Sequence, residues 1–278
     1  MAAAVICIVI VSVRVVQAGA RDRKATTGRR SISIAPREPG KNSTITARYQ
    51  RRIIRGRVRH FPEKIVALTF DDGPSVGNTQ RVLDILAAHK VHATFFVIGR
   101  QAKAYPNLVR RIAAGGHAIG NHSYNHNTGA TNTQAPAELQ RTFGVIRDIT
   151  GRGPSLFRPP CGVVRNKLTQ EALMENYTAV TWTVSSADTL KITPQVMVNN
   201  VTHGINSGDI ILTHDGPGHG TTVKALPAIL DSLKRQGYTL VTVPELLERW
   251  DRWKTAQERK EAAKAAAQRT NGVRAQGG

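Results

Sequence analysis

Ile65-Val66-Ala67-Leu68-Thr69-Phe70-Asp71-Asp72-Gly73-Pro74 is the stretch on which the fold turns. Its first six residues read as a buried strand. Gly73-Pro74 stops that strand, because proline cannot donate to a ladder and a glycine-proline pair turns the chain. Two carboxylates are thereby delivered to a C-terminal rim. Adjacent side chains on a strand point to opposite faces, so the turn must splay them. One can then grip a cation while the other stays free to take a proton. Two anions this close resist joint ionisation unless a cation sits between them, and a metal is the obvious candidate.

Outward from this strand the chain alternates. Strand-like stretches at 93–98, 117–121, 156–158, 178–184, 209–213 and 238–241 are separated by helical ones at 78–89, 101–114, 136–149, 167–175, 194–205, 222–236 and 244–250. About seven strand–helix units predict a parallel sheet wrapped by helices. A doubly wound open sheet would alternate in the same way. The position of the reactive residues favours a barrel: Asp71, Asp72, His122, Arg158, Asp188 and His214 all fall at or just past strand C-termini, where barrels gather their active sites. The expected class is α/β, a distorted, TIM-like (β/α) barrel.

The rest of a metal site stands about fifty residues on, in Gly120-Asn121-His122-Ser123-Tyr124-Asn125-His126. Imidazoles four apart share one face of a helical turn or tight loop. Two His and one Asp leave coordination positions open, as in catalytic rather than structural zinc sites. Alone, such a pair is more often two polar loop residues; the Asp-Asp-Gly-Pro turn upstream reverses that balance. In Phe157-Arg158-Pro159-Pro160-Cys161-Gly162 an arginine at a strand end can fork onto a carboxylate and keep it ionised, although a surface salt bridge would read the same. Ile210-Ile211-Leu212-Thr213-His214-Asp215-Gly216 sends a histidine to the same rim, where it can protonate a leaving group. Asp188, after Trp182-Thr183-Val184-Ser185-Ser186-Ala187, can hold that imidazole and raise its pKa, or cap a helix. Histidines 60, 89, 92, 117, 203 and 219 lack such company and read as structural or surface residues.

The net charge of +20 over 278 residues suggests nucleic acid until its distribution is seen. Residues 21–60 hold 13 Lys and Arg against 2 acids, and residues 249–278 hold 8 against 3, whereas 61–248 is nearly neutral with 17 against 14. The basic segments read as solvated tails and no nucleic-acid motif accompanies them. The organisation expected is a signal peptide or membrane anchor at 1–20, a basic disordered linker at 21–60, a catalytic domain at 61–250 and a basic C-terminal tail at 251–278. The apolar run 2–13 and the small residues Ala18-Gly19-Ala20 point to export, with the catalytic domain outside the cytoplasm. Arg14 and an uncharged n-region fit an anchor as well. If the segment containing Cys7 is removed, Cys161 is the only cysteine left.

Taken in order, Asp-Asp-Gly-Pro, His-Ser-x-x-His, Arg-Pro-Pro-x-Gly and Leu-x-His resemble the motifs of the polysaccharide deacetylases, the NodB-homology domain of carbohydrate esterase family 4, over roughly residues 62–248. The resemblance implies Asp71 as catalytic base, Asp72, His122 and His126 as metal ligands, Arg158 as the residue that positions Asp71, His214 as catalytic acid and Asp188 as its tuner. It implies a divalent metal, zinc first and cobalt as a substitute, and an acetylated glycan as substrate. It also implies an oxyanion contact from the backbone N–H of Cys161, where the family usually has tyrosine, and an acetyl pocket to which Leu212 contributes. The fourth motif departs from the family's Asp-x-x-Asp-Trp: here Ser185-Ser186-Ala187-Asp188-Thr189 keeps only the second acid. The basic tails suit an anionic cell wall, which favours N-acetylglucosamine of peptidoglycan. Chitin oligomers, O-acetyl xylan or a small amide for an amidase of the same fold are the alternatives. A cysteine hydrolase built on Cys161 finds no adjacent base, and a glycan-binding module would need neither a base nor an acid.

Overall fold

The computed structural model describes residues 45–276, with side chains to residue 268. Among the described residues nine strands form one sheet: β1 (Ile53–Ile54), β2 (Ile65–Asp71), β3 (Thr94–Val97), β4 (Ala118–Asn121), β5 (Leu156–Phe157), β6 (Thr178–Val180), β7 (Val184–Ser185), β8 (Ile210–His214) and β9 (Thr239–Val241). The helices are α1 (Asn78–Ala88), α2 (Gly99–Ala104), α3 (Pro106–Ala114), α4 (Ala135–Thr150), α5 (Lys167–Met174), α6 (Pro194–Thr202), α7 (Gly220–Arg235) and α8 (Val243–Gln276). Every strand pairing is parallel, along the path β1-β6-β5-β4-β3-β2-β8-β7. The remaining strand, β9, aligns with Ile65–Ala67 at the start of β2, and β3 aligns with Thr69–Asp71 at its end.

The alternation of β2 builds both layers of the core. Val66, Leu68 and Phe70 face the helices, packing with Val82 and Leu86 of α1 and with Ile229 and Leu233 of α7. Ile65 and Ala67 face inward with Phe96, Leu156, Val180 and Ile210, and Val243, Leu246, Leu247 and Trp250 of α8 close the same cluster. Interior packing therefore fills one end of the curled sheet, and the next inward positions along β2 are Thr69 and Asp71. At Gly120 a Cβ would lie 2.4 Å from the Phe96 ring, so glycine is what lets that ring sit inside.

Three sequence expectations need correction. The stretch 178–184 is not one strand. Thr178–Val180 pairs with β5 and β1, Val184–Ser185 pairs with β8 at the opposite end of the path, and residues 181–183 cross between them. There the Thr181 N–H donates to Ile54 O and the Thr183 N–H to Ile210 O, so one chain crossing bridges the two ends of the sheet. An unbroken β-rich run is the sequence signature of either arrangement. The helix expected at 101–114 breaks at Tyr105-Pro106, because the proline N1 of a new helix disfavours α geometry in the residue before it.

The N-terminal linker also ends sooner, and the C-terminal tail begins later, than their composition suggests. Ile45, Tyr49 and Ile54 are buried against Trp250, and β1 joins the sheet, so residues 45–60 belong to the domain and are not linker. On the C-terminal side α8 runs through the expected boundary at 250. Trp253 packs on the core, and Arg48 reaches Asp251 and forks onto Glu258 at 2.8 and 2.9 Å. Burial of a few large side chains outweighs the basic composition here, since each is worth about 1.5–3 kcal/mol. Residues 1–44, including the expected leader and most of the expected linker, lie outside the described residues. No helix among the described residues is long and apolar enough to cross a membrane.

Candidate active site

Asp71 is the last residue of β2 and lies opposite His214, the last residue of β8, in the strand register. Asp72 follows in a left-handed conformation, φ 71°, that throws its side chain away from that of Asp71. The turn rests on Asp215: a Cβ at Gly73 would lie 2.4 Å from both its carboxylate oxygens, so only glycine fits. His122 follows β4 and His126 lies in the loop after it, where Ser123 and His126 are also left-handed, at φ 63° and 61°. Glu138 of α4 holds that loop, its carboxylate accepting from the N–H groups of Tyr124 and Asn125 at 2.9 and 2.8 Å and from the Asn125 amide at 2.6 Å.

These elements bring Asp72, His122 and His126 together. Oδ1 of Asp72 is 3.4 Å from Nε2 of each histidine and is a buried oxygen with no hydrogen-bond partner. Zinc bonds of about 2.0–2.2 Å in tetrahedral array place ligand atoms about 3.4 Å apart, so the donors are already spaced for a cation. His122 Nδ1 lies 2.8 Å from the carbonyl of Arg158, and the proton it shares with that oxygen leaves Nε2 as the lone-pair donor facing Asp72. Burial alone would raise the Asp72 carboxyl, but the contact with His122 and the charges of His122, His126 and His214 hold it well below the carboxylate range. His122 moves oppositely: burial pulls it down, and Asp71 and Asp72 raise it further than burial lowers it. Burial and the neighbouring His122 lower His126.

Arg158 follows β5 and is fully buried. Its Nη1 donates to Asp71 Oδ1 at 2.8 Å and to Thr69 Oγ1 at 2.7 Å, while Nε and Nη2 donate to the carbonyls of Val180 and Thr181. The guanidinium also lies 4.1 Å from the Phe96 ring centroid. Of the two sequence readings, a surface salt bridge is thus excluded. Cys161 stands three residues on, left-handed at φ 52°, and the Trp182 indole packs beside it against Gly162. Leu212 is buried on β8, aligned with Thr69.

Asp188 accepts from His214 Nδ1 at 2.8 Å through one oxygen and from the His214 N–H and Thr222 Oγ1 at 2.8 and 2.6 Å through the other. It therefore serves an imidazole and caps no helix. Burial lowers the His214 pKa, but the Asp188 bond and charge, with Asp71 and Asp72 beyond, raise it to about 9. Replacing Asp188 by Asn removes the nearest of those charges, so the pH above which His214 loses its proton should fall toward the ordinary histidine value of about 6.5. The basic limb of the rate profile should move down with it, and an unmoved limb would show that Asp188 only braces the loop.

The arrangement offers a cation site with open positions, a carboxylate in reach of it and a protonated imidazole opposite. Set beside known proteins, residues 59–180 match the family model for polysaccharide deacetylase. A peptidoglycan-N-acetylglucosamine deacetylase of Bacillus cereus is 40% identical over 189 residues, which span 66% of this chain and 89% of that one. The chain belongs to the polysaccharide deacetylase family. Among solved structures of this family, the Bc1960 peptidoglycan N-acetylglucosamine deacetylase, in complex with 4-naphthalen-1-yl-N-oxidanyl-benzamide, superimposes with a TM-score of 0.67 at 33% identity, covering 72% of this chain and 94% of that chain. BA3943 of Bacillus anthracis, a family pseudoenzyme, does so with 0.62 at 31% identity, covering 68% and 66%. The deacetylase fold thus carries both active and inactive members.

Sequence reasoning missed three supporting residues. Glu138 lay inside an amphipathic helix with nothing local to mark it. His219 was set aside as structural, yet its ring stacks on His214 with centroids 4.8 Å apart. Asp215 stood in the quoted His-Asp-Gly motif without a role: its N–H donates to Asp71 O at 3.1 Å, its Oδ2 accepts from Thr79, and Oδ1 is buried with no hydrogen-bond partner. Burial, with Asp72 and Asp71 adding to it, pushes the Asp215 carboxyl up to about 7. Below about pH 4 folded and unfolded chains both hold that proton; from there to about 7 only the folded chain does, so stability falls as pH rises through the window. Asp215→Asn should flatten this slope in metal-free protein, as measured by denaturant midpoints from pH 4 to 7.

Proposed function

We propose that the protein is an exported, zinc-dependent deacetylase that removes N-acetyl groups from N-acetylglucosamine of peptidoglycan, with chitin oligomers as the runner-up substrate. The observation that carries the reading is the pairing of Asp71 with His214 across β2 and β8 beside the Asp72–His122–His126 donor set. Two imidazoles and one carboxylate suit a borderline cation such as zinc, or cobalt in its place, better than magnesium. Zinc held there by Asp72, His122 and His126 supplies Lewis acidity, polarising the acetamide carbonyl and lowering the pKa of water.

The chain's own residues do the rest. Asp71, aimed by Arg158, takes the proton of the attacking water. The Cys161 N–H donates to the oxygen on which charge develops, a contact worth about 3–4 kcal/mol when preorganised. His214, held by Asp188, gives its proton to the sugar nitrogen as the C–N bond breaks, leaving acetate and an amine. Relatives named as peptidoglycan deacetylases support the substrate. Residues 1–20 act as the export signal or anchor, and the basic residues of 21–44 hold the enzyme at the anionic wall through screened attraction.

Acetate release from peptidoglycan, chitin oligomers and acetylated xylan by the metal-loaded full chain tests the reading. Peptidoglycan should give the highest rate, and no release from any of the three would place the protein with the inactive members. A chain beginning at Asn42 keeps the buried Ile45 and Tyr49 and should bind wall more weakly at low salt, while hydrolysing soluble oligomers as the full chain does. Equal wall binding by the two would remove the tail from the account.

A further inference from the structure

On the far side of His214 the described residues contain a second set of cation donors. Asp188, His214 and His219 each present a ligand atom, all within 4.8 Å of one another. Gly218, at φ +90°, turns the β8–α7 loop back so that the His219 ring lies on that of His214, 20° from parallel. His219 Nδ1 is 3.8 Å from Asp188 Oδ2, too far for a hydrogen bond, and it is a buried nitrogen without any hydrogen-bond partner. Buried polar atoms are nearly always satisfied, so an orphaned imidazole nitrogen facing a carboxylate calls for an occupant.

We infer that Asp188, His214 and His219 form a second, weaker divalent-cation site, and that filling it with zinc switches the enzyme off. The chemistry of the donors is that of the Asp72 set, two imidazole nitrogens and a carboxylate, and so selects the same class of cation. The order of filling follows from the distances. Asp72 already stands 3.4 Å from both of its histidines, near the spacing a tetrahedral cation requires. At the second set the His214–Asp188 contact is a 2.8 Å hydrogen bond that must open and give up its proton first. The first equivalent therefore goes to Asp72. A second cation takes the place of the proton on His214 Nδ1 and takes Asp188 from it, so the imidazole no longer cycles as a proton donor. The inhibitory part of the inference rests on the role proposed above for His214; the binding part does not.

The test is a zinc titration of the metal-stripped full chain, following bound metal by equilibrium dialysis and acetate release side by side, with cobalt absorption as a second readout. Wild-type protein should bind two equivalents, and its activity should peak near one and fall about tenfold or more as the second binds. His219→Ala should bind one and hold its own one-equivalent rate through the same excess; His219→Gln serves if alanine impairs folding. Binding of a single equivalent by the wild type, or the same inhibition by excess zinc in the His219 variants, overturns the inference. Two equivalents in wild type and one in the variants, without acetate release from any glycan, would leave the cation site standing and remove the proposed reaction.

Discussion

Asp71→Asn should lose turnover by roughly 10²–10⁴-fold, the range general acid–base groups contribute, while still binding metal at the Asp72–His122–His126 donors. The amide has almost the shape of the carboxylate and can still accept from Arg158, but it cannot take a proton from water. Because the Asp72–His122–His126 donors are separate from Asp71, the loss should fall on turnover and spare metal content. A second effect follows from burial. Arg158 is fully buried, Asp71 is the only carboxylate that its guanidinium contacts among the described residues, and both side chains are withdrawn from water. Leaving one member of such a pair without its counter-charge costs about 3–5 kcal/mol. The variant should therefore unfold at markedly lower denaturant concentration, and its activity must be measured well below its lowered melting temperature. Wild-type turnover by the folded, metal-loaded variant would end the assignment of Asp71 as base.

The site was more legible in the sequence than the sheet around it. Asp71, Asp72, His122, His126, Arg158 and His214 are visible because each breaks a local rule: a charge ending an apolar strand, an imidazole beside a turn, an arginine before two prolines. Physical propensity explains none of them, so chemistry is the remaining reason. The crossing at residues 181–183 was invisible because Thr, Trp and Val favour strands whichever edge they join, and pairing is set by partners far away in sequence. Residues 45–60 misled for a related reason. Their arginines and sparse apolar residues match a solvated linker, and the decision lies with three side chains, Ile45, Tyr49 and Ile54, that meet Trp250 two hundred residues later. Supporting residues such as Glu138 and Asp215 act through backbone N–H groups, which leave no pattern in a single sequence.

Stripping the metal should abolish activity and also destabilise the fold, and the second effect separates a resident cofactor from an adventitious one. Asp71 and Asp72 share one rim, and Asp72 Oδ1 faces both histidines and accepts no hydrogen bond, so a cation bound there would join these donors. A cation that binds the folded chain alone stabilises it by about 4 kcal/mol at a concentration one thousand times its dissociation constant. The melting temperature should consequently rise with free zinc and fall on chelation, and cobalt should restore both stability and acetate release where magnesium does not. His122→Ala should abolish this zinc-dependent rise at the Asp72 site together with turnover. The imidazole is the most deeply buried of the three candidate ligands, and its Nδ1 contact to the Arg158 carbonyl ties the candidate metal site to the strand end that carries Arg158. Full activity in protein whose metal content has been shown to be negligible would refute the metal reading. A zinc-dependent melting temperature without acetate release would keep the metal and leave a binding module of the deacetylase fold, since Asp71 and His214 have no work to do where nothing is hydrolysed.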